Sequence, residues 1–235
     1  MSEFESRAGI TDAEPCPYLP DRQWQSFILQ PAGPLSAEIH EAMLDQGFRR
    51  MGQLLFRPLC PTCSACRSLR LDVNKFALNK SRRRLMRRNA DLTVELAPPQ
   101  YSEEKRALLE RYLDARHVGP MVAEEQSMLQ YMFSGTDHSY EFSYRDADER
   151  LIGLGLFDLT ANVGSSVYFY FEPAESRRSL GTYSMLREIE FTKNAGARWF
   201  HPGFYIEGCA AMDYKARFQP AEIMDENRLW GPFST

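Results

Sequence analysis

The stretch from Tyr140 to Ile206 does most to constrain the fold. It reads, in order, as strand, strand, strand, loop, helix, strand. "YEFSYRD" and "RLIGLGLFDLTANVGSSVYFYFEP" supply three apolar, aromatic-rich segments, the last two joined through Ala161–Gly164, whose Asn and Gly suit a turn. After Pro173 the period becomes helical. Ser179 is the expected cap, Met185, Leu186 and Ile189 form the apolar stripe, and Gly196 is the stop. "WFHPGFYI" then returns to a strand pattern. Strands closed by one crossing helix call for a mixed sheet with that helix packed on a face.

This order resembles the core of an N-acetyltransferase-like fold. The expected class is α/β (α+β), an N-acetyltransferase-like mixed sheet with a cysteine-containing N-terminal region. In such folds an acyl donor's phosphates rest on the helix N-terminus, where free N–H groups and the dipole attract anions. The usual loop is [QR]xxGx[GA]. Arg178 and Gly181 match it, but Tyr183 stands where a small residue is expected and should crowd a pyrophosphate. A coenzyme A-dependent acetyltransferase is therefore the alternative that this loop disfavours.

The N-terminal half is more varied. Residues 1–15 read as a disordered tail, 16–100 as a cysteine-containing basic region and 101–235 as the catalytic domain. "SFILQP" has strand character, and "SAEIHEAMLDQGF" is a helix capped by Ser36 and stopped by Gly47. "RRMGQLLFRPLC" reads as one strand delivering Cys60, and "SLRLDVNKF" turns Leu69, Leu71 and Val73 inward with Arg70 and Asp72 outward. "NKSRRRLMRRNADL" is helical with Ser81 as cap, "TVELAPP" is a strand, and Ser102 caps a helix with Leu108, Leu109, Tyr112 and Leu113 as its stripe. "MDYKARFQPAEIM" reads as extended, ahead of a short polar tail. No apolar run approaches the roughly 18 residues of a membrane span, and the acidic N-terminus has no signal-peptide core. No membrane partner and a cytoplasmic location are the expectations.

Cys60, Cys63 and Cys66 are spaced CxxCxxC. With Cys16 as fourth ligand they could surround a zinc ion, and the spacing also matches the first ligands of an iron–sulfur cluster. Reduced, buried thiols are the other reading, and Cys209 is read as a structural thiol. The arginines follow directly. From Arg67 to Arg88 nine basic residues face one acid, leaving +8 on the segment and, since the chain carries −4, −12 on the remainder. On a helix Arg83 lies over Arg87 and Arg84 over Arg88, and with Lys80 and Arg82 they make rows of cations suited to phosphates. A polyanionic partner bound by its backbone is the expectation.

Taken together, the ordered blocks resemble the bacterial aspartate/glutamate leucyltransferase family, relatives of the arginyl-tRNA–protein transferases of the N-degron pathway. They are "CPYLP", "GFRRMGQLLFRPLCPTCSACRSLRLDV", "SRRRLMRRNADL", "YLDARH", "SSVYFYFEP", "SLGTYSMLREIE" and "MDYKARFQPAE". The resemblance implies an aminoacyl-tRNA donor, with leucine the amino acid moved. It implies acceptor proteins beginning with Asp or Glu, which the transfer marks for degradation. Two places depart from the family pattern: "HPGFYIEGCAAM", where a Leu-Gly-Tyr-Trp-Ile type strand is usual, and "VGPM" after "RH".

The implied reaction is aminolysis of an ester that is already activated, so no cofactor is required for the chemistry. The enzyme aligns amine and ester, stabilises an oxyanion and relays a proton. Lys215 and Arg217, two apart in an extended segment, and Arg178 are candidate cations for the acceptor's carboxylate. Tyr168 and Tyr170 alternate onto one strand face as hydrogen-bond donors or core packing, and Asp213 and Tyr214 are candidate relay groups. A non-enzymatic RNA-binding protein would explain the basic helix but leave the second half idle.

Overall fold

Segments rich in aromatic and β-branched residues pair into three sheets in the computed structural model, which describes residues 7–116 and 123–234. The chain opens with β1 (Arg7–Ile10), β2 (Glu14–Pro15), β3 (Gln23–Trp24) and β4 (Ser26–Gln30), followed by α1 (Ala37–Asp45). Next come β5 (Arg49–Met51), β6 (Leu54–Pro58), β7 (Arg67–Asp72), α2 (Lys80–Arg88) and β8 (Thr93–Ala97). Helices α3 (Glu103–Arg116) and α4 (Glu125–Tyr131) precede the strands β9 (Ser139–Arg145), β10 (Leu151–Leu159) and β11 (Val163–Phe171). A 3-10 helix, Pro173–Arg178, leads into α5 (Leu180–Asn194) and β12 (Trp199–Tyr205). A second 3-10 helix, Asp213–Arg217, precedes β13 (Ala221–Met224) and β14 (Trp230–Phe233).

The main sheet has eight strands in the order β14-β13-β7-β12-β11-β10-β9-β8. It is antiparallel except where α5 carries the chain from β11 to a parallel β12, which is the mixed sheet expected. Helix α5 packs Leu180, Tyr183, Met185, Leu186 and Ile189 on one face, against Phe142, Ile152, Phe157 and Phe200. Helices α3 and α4 cover the other with Leu108, Leu109 and Met128 against Leu154, Leu156 and Tyr170. Leu69, Leu71 and Val73 are fully buried, as their alternation requires, each contributing about 1.5–3 kcal/mol.

Several local expectations are corrected. The tail is ordered from Arg7, because β1 pairs with β4 and β2 with β3; residues 1–6 lie outside the described residues. "RRMGQLLFRP" is a hairpin, not one strand, since Gly52 turns at φ 59. Helix α2 is capped by Asn79, whose side chain accepts from the Arg82 N–H, and not by Ser81. Ser179 precedes α5 but sits in the left-handed region and makes no capping bond. The polar tail is strand β14, and "DYKAR" is a 3-10 helix. The expected division at residue 100 is not one of sheets, because β7 and β8 belong to the same sheet as β9–β14. The "VGPM" segment lies outside the described residues. Among the described residues, no helix is long and apolar enough to cross a membrane.

A buried charge lock joins the small sheet to the large one. Arg50 grips Asp158 with Nε at 2.5 Å and Nη2 at 2.6 Å, and the Ser139 hydroxyl donates to Asp158 at 2.7 Å. Burial raises the Asp158 carboxyl, but the charge and hydrogen bonds of Arg50 outweigh it and hold it below the usual range. His40 of α1 lies beside this pair, its Nδ1 2.9 Å from His138 Nε2. Burial pushes the His40 imidazole down to about 4, although Asp158 raises it. An unfolded histidine titrates near about 6.5, so between pH 6.5 and 4 the unfolded chain binds a proton that the native chain refuses. Stability should therefore fall as pH drops through that window, by up to about 3 kcal/mol. Urea midpoints at pH 7 and pH 4.5 check this, and His40→Gln should shrink the difference.

Candidate active site

Strands β11 and β12 pair only over Val163–Ser165 with Trp199–His201, and beyond that the ladder ends. Two irregularities turn them apart. Opposite β10, the register shifts between Leu156 and Phe157, leaving Val167 without a partner. Opposite β7, β12 shifts between Phe200 and Gly203, across Pro202, which has no N–H to give. Gly203 then takes φ 98, a conformation that favours glycine.

Two cations occupy the opening. Arg49 of β5 donates from Nη2 to the Ser166 carbonyl on the β11 side. Lys215 donates from Nζ to the Phe204 carbonyl on the β12 side at 3.0 Å, with Met212 Sδ 3.2 Å away. A Cβ on Gly203 would lie 3.3 Å from Lys215 Nζ, tighter than most such contacts, and 3.8 Å from Arg49 Nη2, so the glycine eases the approach of Lys215 with Arg49 close by. Arg49 Nη1 is buried with no hydrogen-bond partner. Burial lowers Lys215 to about 7, with Arg49 acting in the same direction and Cys209 and Glu188 opposing. Burial likewise lowers Arg49, to about 10.

Glu188 of α5 faces these cations. Its Oε1 accepts from the Ser184 hydroxyl at 2.9 Å, and Ser184 Oγ accepts from Tyr144 at 3.0 Å. Its Oε2 is buried without a partner. Burial pushes the carboxyl up to about 7, while Ser184, Ser166, Arg49 and Lys215 pull it down. Sequence reading missed Arg49, Ser166, Glu188 and Gly203. The available signals were a carboxylate on the buried face of α5, between Met185 and Ile189, and a Pro-Gly pair inside a strand.

The expected site residues separate into groups. Tyr214 lies within electrostatic reach of Glu188 and Tyr112, and Tyr168 within reach of Tyr112 and Tyr18; burial raises both phenols. Tyr168 and Tyr170 share a face, rings 6.1 Å apart, but Tyr170 is enclosed by the α3–α4 core, its hydroxyl without a partner. Asp213 opens the second 3-10 helix. Lys215 and Arg217 do not point the same way as an extended segment would have them, because in that helix Lys215 is buried and Arg217 exposed. Arg178 is engaged by Asp91 at 2.9 and 3.0 Å and by Glu175 at 3.0 Å. Tyr183 is buried beside Tyr144, centroids 5.8 Å apart, and so does not crowd the start of α5 as expected.

Helix α2 is tied to the start of α5 and to the second 3-10 helix. Arg88 and Asn89 donate to the Arg177 and Arg178 carbonyls at 3.0 Å each, and Arg82 donates to the Arg217 carbonyl. Arg82 also lies over Phe76 and Phe218, 4.7 and 5.0 Å from their centroids, so it is a structural bolt as much as a surface charge. Lys80, Arg83, Arg84, Arg87 and Arg88 are exposed, and among the described residues none has a carboxylate at salt-bridge distance.

The cysteines gather beside the opening. Burial chiefly raises the Cys66 thiol to about 12, with Cys60, Cys16, Cys63 and Cys209 adding to it. Tyr18, between them and Tyr168, is raised to about 12, chiefly by burial and then by Cys66. Among the described residues, no group of three or more His, Cys, Asp and Glu side chains is arranged to hold a metal ion.

A mixed sheet whose parallel pair opens over buried charge, with a helix crossing beneath, defines an α/β protein with a charged cleft between its separated strands. The C-terminal domain of a putative lysylphosphatidylglycerol synthetase from Agrobacterium fabrum shares this fold, with TM-score 0.51, 13% identity, and coverage of 90% of this chain and 82% of that one. The chain belongs to the arginine-tRNA-protein transferase family: residues 14–84 match its N-terminus and 104–225 its C-terminus. It is 34% identical over 220 residues, 93% of each chain, to the aspartate/glutamate leucyltransferase of Pseudomonas savastanoi pv. phaseolicola. Identity to the protein of the same name from Saccharophagus degradans is 33% over 229 residues, 95% of this chain and 96% of that one.

Proposed function

We propose that this aminoacyl-tRNA–protein transferase moves leucine from its tRNA to the α-amine of proteins beginning with Asp or Glu, and does so in the β11–β12 opening. One observation carries the acceptor reading. Arg49 Nη1 is a buried guanidinium nitrogen with nothing to bond, beside Lys215 at Gly203. A buried, unpaired donor on a cation is costly, and the carboxylate of an acidic side chain satisfies it. The curated relatives named above are aspartate/glutamate leucyltransferases, which supports the same choice.

The acceptor enters with its carboxylate on Arg49 and Lys215 and its α-amine toward the ester. The amine attacks the aminoacyl carbonyl, and the 3′-terminal ribose oxygen leaves. Tyr168 and Tyr214 are the hydrogen-bond donors proposed for the developing oxyanion and the leaving oxygen, with Asp213 beside them. Helix α2 holds the donor's phosphates through Lys80, Arg83, Arg84, Arg87 and Arg88, with Arg82 fixing the helix and Arg217 exposed next to it. No coenzyme takes part. As they stand Cys16, Cys60, Cys63 and Cys66 are not arranged to hold a metal ion, and zinc or an iron–sulfur cluster is proposed to draw them together into a staple of the N-terminal region, apart from the chemistry.

Transfer from labelled leucyl-tRNA to matched peptides tests the acceptor reading. Asn or Gln at the first position should lower kcat/KM at least about tenfold relative to Asp or Glu, because charge-assisted hydrogen bonds worth about 1.5–3 kcal/mol each are lost. Arg49→Met or Lys215→Met should erase that preference while leaving tRNA affinity unchanged; a preference for Lys or Arg peptides contradicts the reading. The donor reading is checked by replacing Arg83, Arg84, Arg87 and Arg88 with Ala. Each lost phosphate contact should flatten the log–log salt dependence of tRNA binding by about 0.7–0.9, and an unchanged slope removes α2 from the interface. Elemental analysis and a visible spectrum of anaerobically purified protein should find zinc, or iron with sulfide; metal-free protein that is folded and active excludes the staple.

A further inference from the structure

The acceptor's α-amine must be neutral to attack, yet at neutral pH most of it is ammonium, because its pKa is about 7.7 to 8. A group that takes the surplus proton has to lie at the site, be able to lose its own proton near neutral pH, and connect to the open side. Among the described residues at the opening, Lys215 and Glu188 both titrate near neutrality, and Lys215 is already committed as a donor to the Phe204 carbonyl.

From the arrangement around the opening, we infer that Glu188 and Ser166 form a proton relay, Ser166 taking a proton from the acceptor's ammonium and passing its own to Glu188. This rests on the acceptor reading above. Ser166 stands on β11 at the first residue beyond the paired segment, where the ladder to β12 ends. It is half-buried, and its carbonyl accepts from Arg49. Gly164, two residues earlier on the same strand, lies against Thr192 of α5, one turn beyond Glu188, so Ser166 and Glu188 meet across the β11–α5 contact, and the hydroxyl helps pull the carboxyl down. Behind Ser166, Glu188 is fully enclosed and keeps Oε2 without a partner. Gly155 clears the space for it: a Cβ there would lie 3.3 Å from Glu188 Oε1 and 3.2 Å from Ser184 Oγ. The groups facing the carboxyl are Arg49 from β5, Lys215 and Tyr214 from the second 3-10 helix, and Tyr144 from β9. Burial raises Glu188 to about 7, near the cytosolic pH at which a proton acceptor works best.

The protons balance as follows. The ammonium gives one proton through Ser166 Oγ to Glu188, which becomes a neutral acid. The freed lone pair attacks the ester carbonyl carbon and the C–N bond forms. The C–O bond to the ribose then breaks, its electron pair leaving on oxygen, which takes a second proton from the attacking nitrogen. Glu188 returns to the carboxylate by releasing its proton to solvent.

The sign of the pH effect is fixed by this scheme. Glu188 accepts a proton only when ionised, so the wild-type single-turnover rate should fall as pH drops through about 7. In Glu188→Gln the neutral amine must come from solution, and the acid limb should move up toward about 8. With an Asp peptide and leucyl-tRNA, the variant should come within a few-fold of wild type at pH 8.5 and be slower by roughly a further five- to tenfold at pH 6.5. Ser166→Ala should show the same pH-dependent defect, which keeps the test open if Glu188→Gln folds poorly. A loss of equal size at every pH, or no loss, overturns the relay. So does loss of the preference for Asp over Asn in Glu188→Gln, since Glu188 would then shape the acceptor pocket and not the proton path. The acceptor reading itself is judged on wild-type protein alone, by its Asp-to-Asn ratio, so the two can fail separately.

Discussion

The opening between β11 and β12 depends on two side chains doing the work of a ladder. Where a parallel pair separates, carbonyls and N–H groups lose their partners, and each one left buried and unsatisfied costs about 1–3 kcal/mol. Here Arg49 supplies a donor to the Ser166 carbonyl on one strand and Lys215 supplies one to the Phe204 carbonyl on the other. The separation is thus held open by cations, and the same atoms that satisfy the backbone give the cleft its positive field. Glu188 answers that field from beneath, and burial of all three is what brings Lys215 and Glu188 to titrate near neutrality.

The N-terminal region completes this arrangement. Arg49 and Arg50 are neighbours on β5: the first reaches into the opening, and the second locks onto Asp158 of β10. Consecutive strand residues point to opposite sides, so one short strand both docks the small sheet and furnishes the cleft. The chain's charge is divided in a similar way. Helix α2 concentrates exposed arginines where it is bonded to the start of α5 and to the carbonyl of Arg217, two residues beyond Lys215. An acidic body with one basic ridge directs a polyanion to that ridge.

Much of this was legible in the sequence, and the exceptions have physical causes. The strand–helix–strand order from β9 to β12 followed from periodicity, because apolar alternation and a helical stripe both report burial directly. The position of α2 and its arginines followed from propensity and charge. What was not legible was anything that depends on a break in periodicity. The gap between β11 and β12 comes from two register shifts, and periodicity has no signal for a shift except Pro202 and Gly203 themselves. Arg49 and Glu188 escaped notice because burying an ionisable group reverses the usual preference. The 3-10 turn at Asp213–Arg217 was read as extended, and that error put Lys215 and Arg217 on one side when the turn sends them apart.

The central claim is that acyl transfer takes place between the separated strands. Hydrogen exchange on the full chain, with and without a non-hydrolysable donor carrying leucine by an amide bond on a tRNA-derived acceptor stem, tests it directly. The account predicts slowed exchange at the backbone amides of residues 166–168 and 203–205, with a second protected zone along α2. Protection confined to the outer groove lined by Met86, Arg87, Tyr183 and Arg187, with the strand amides unchanged, would contradict it.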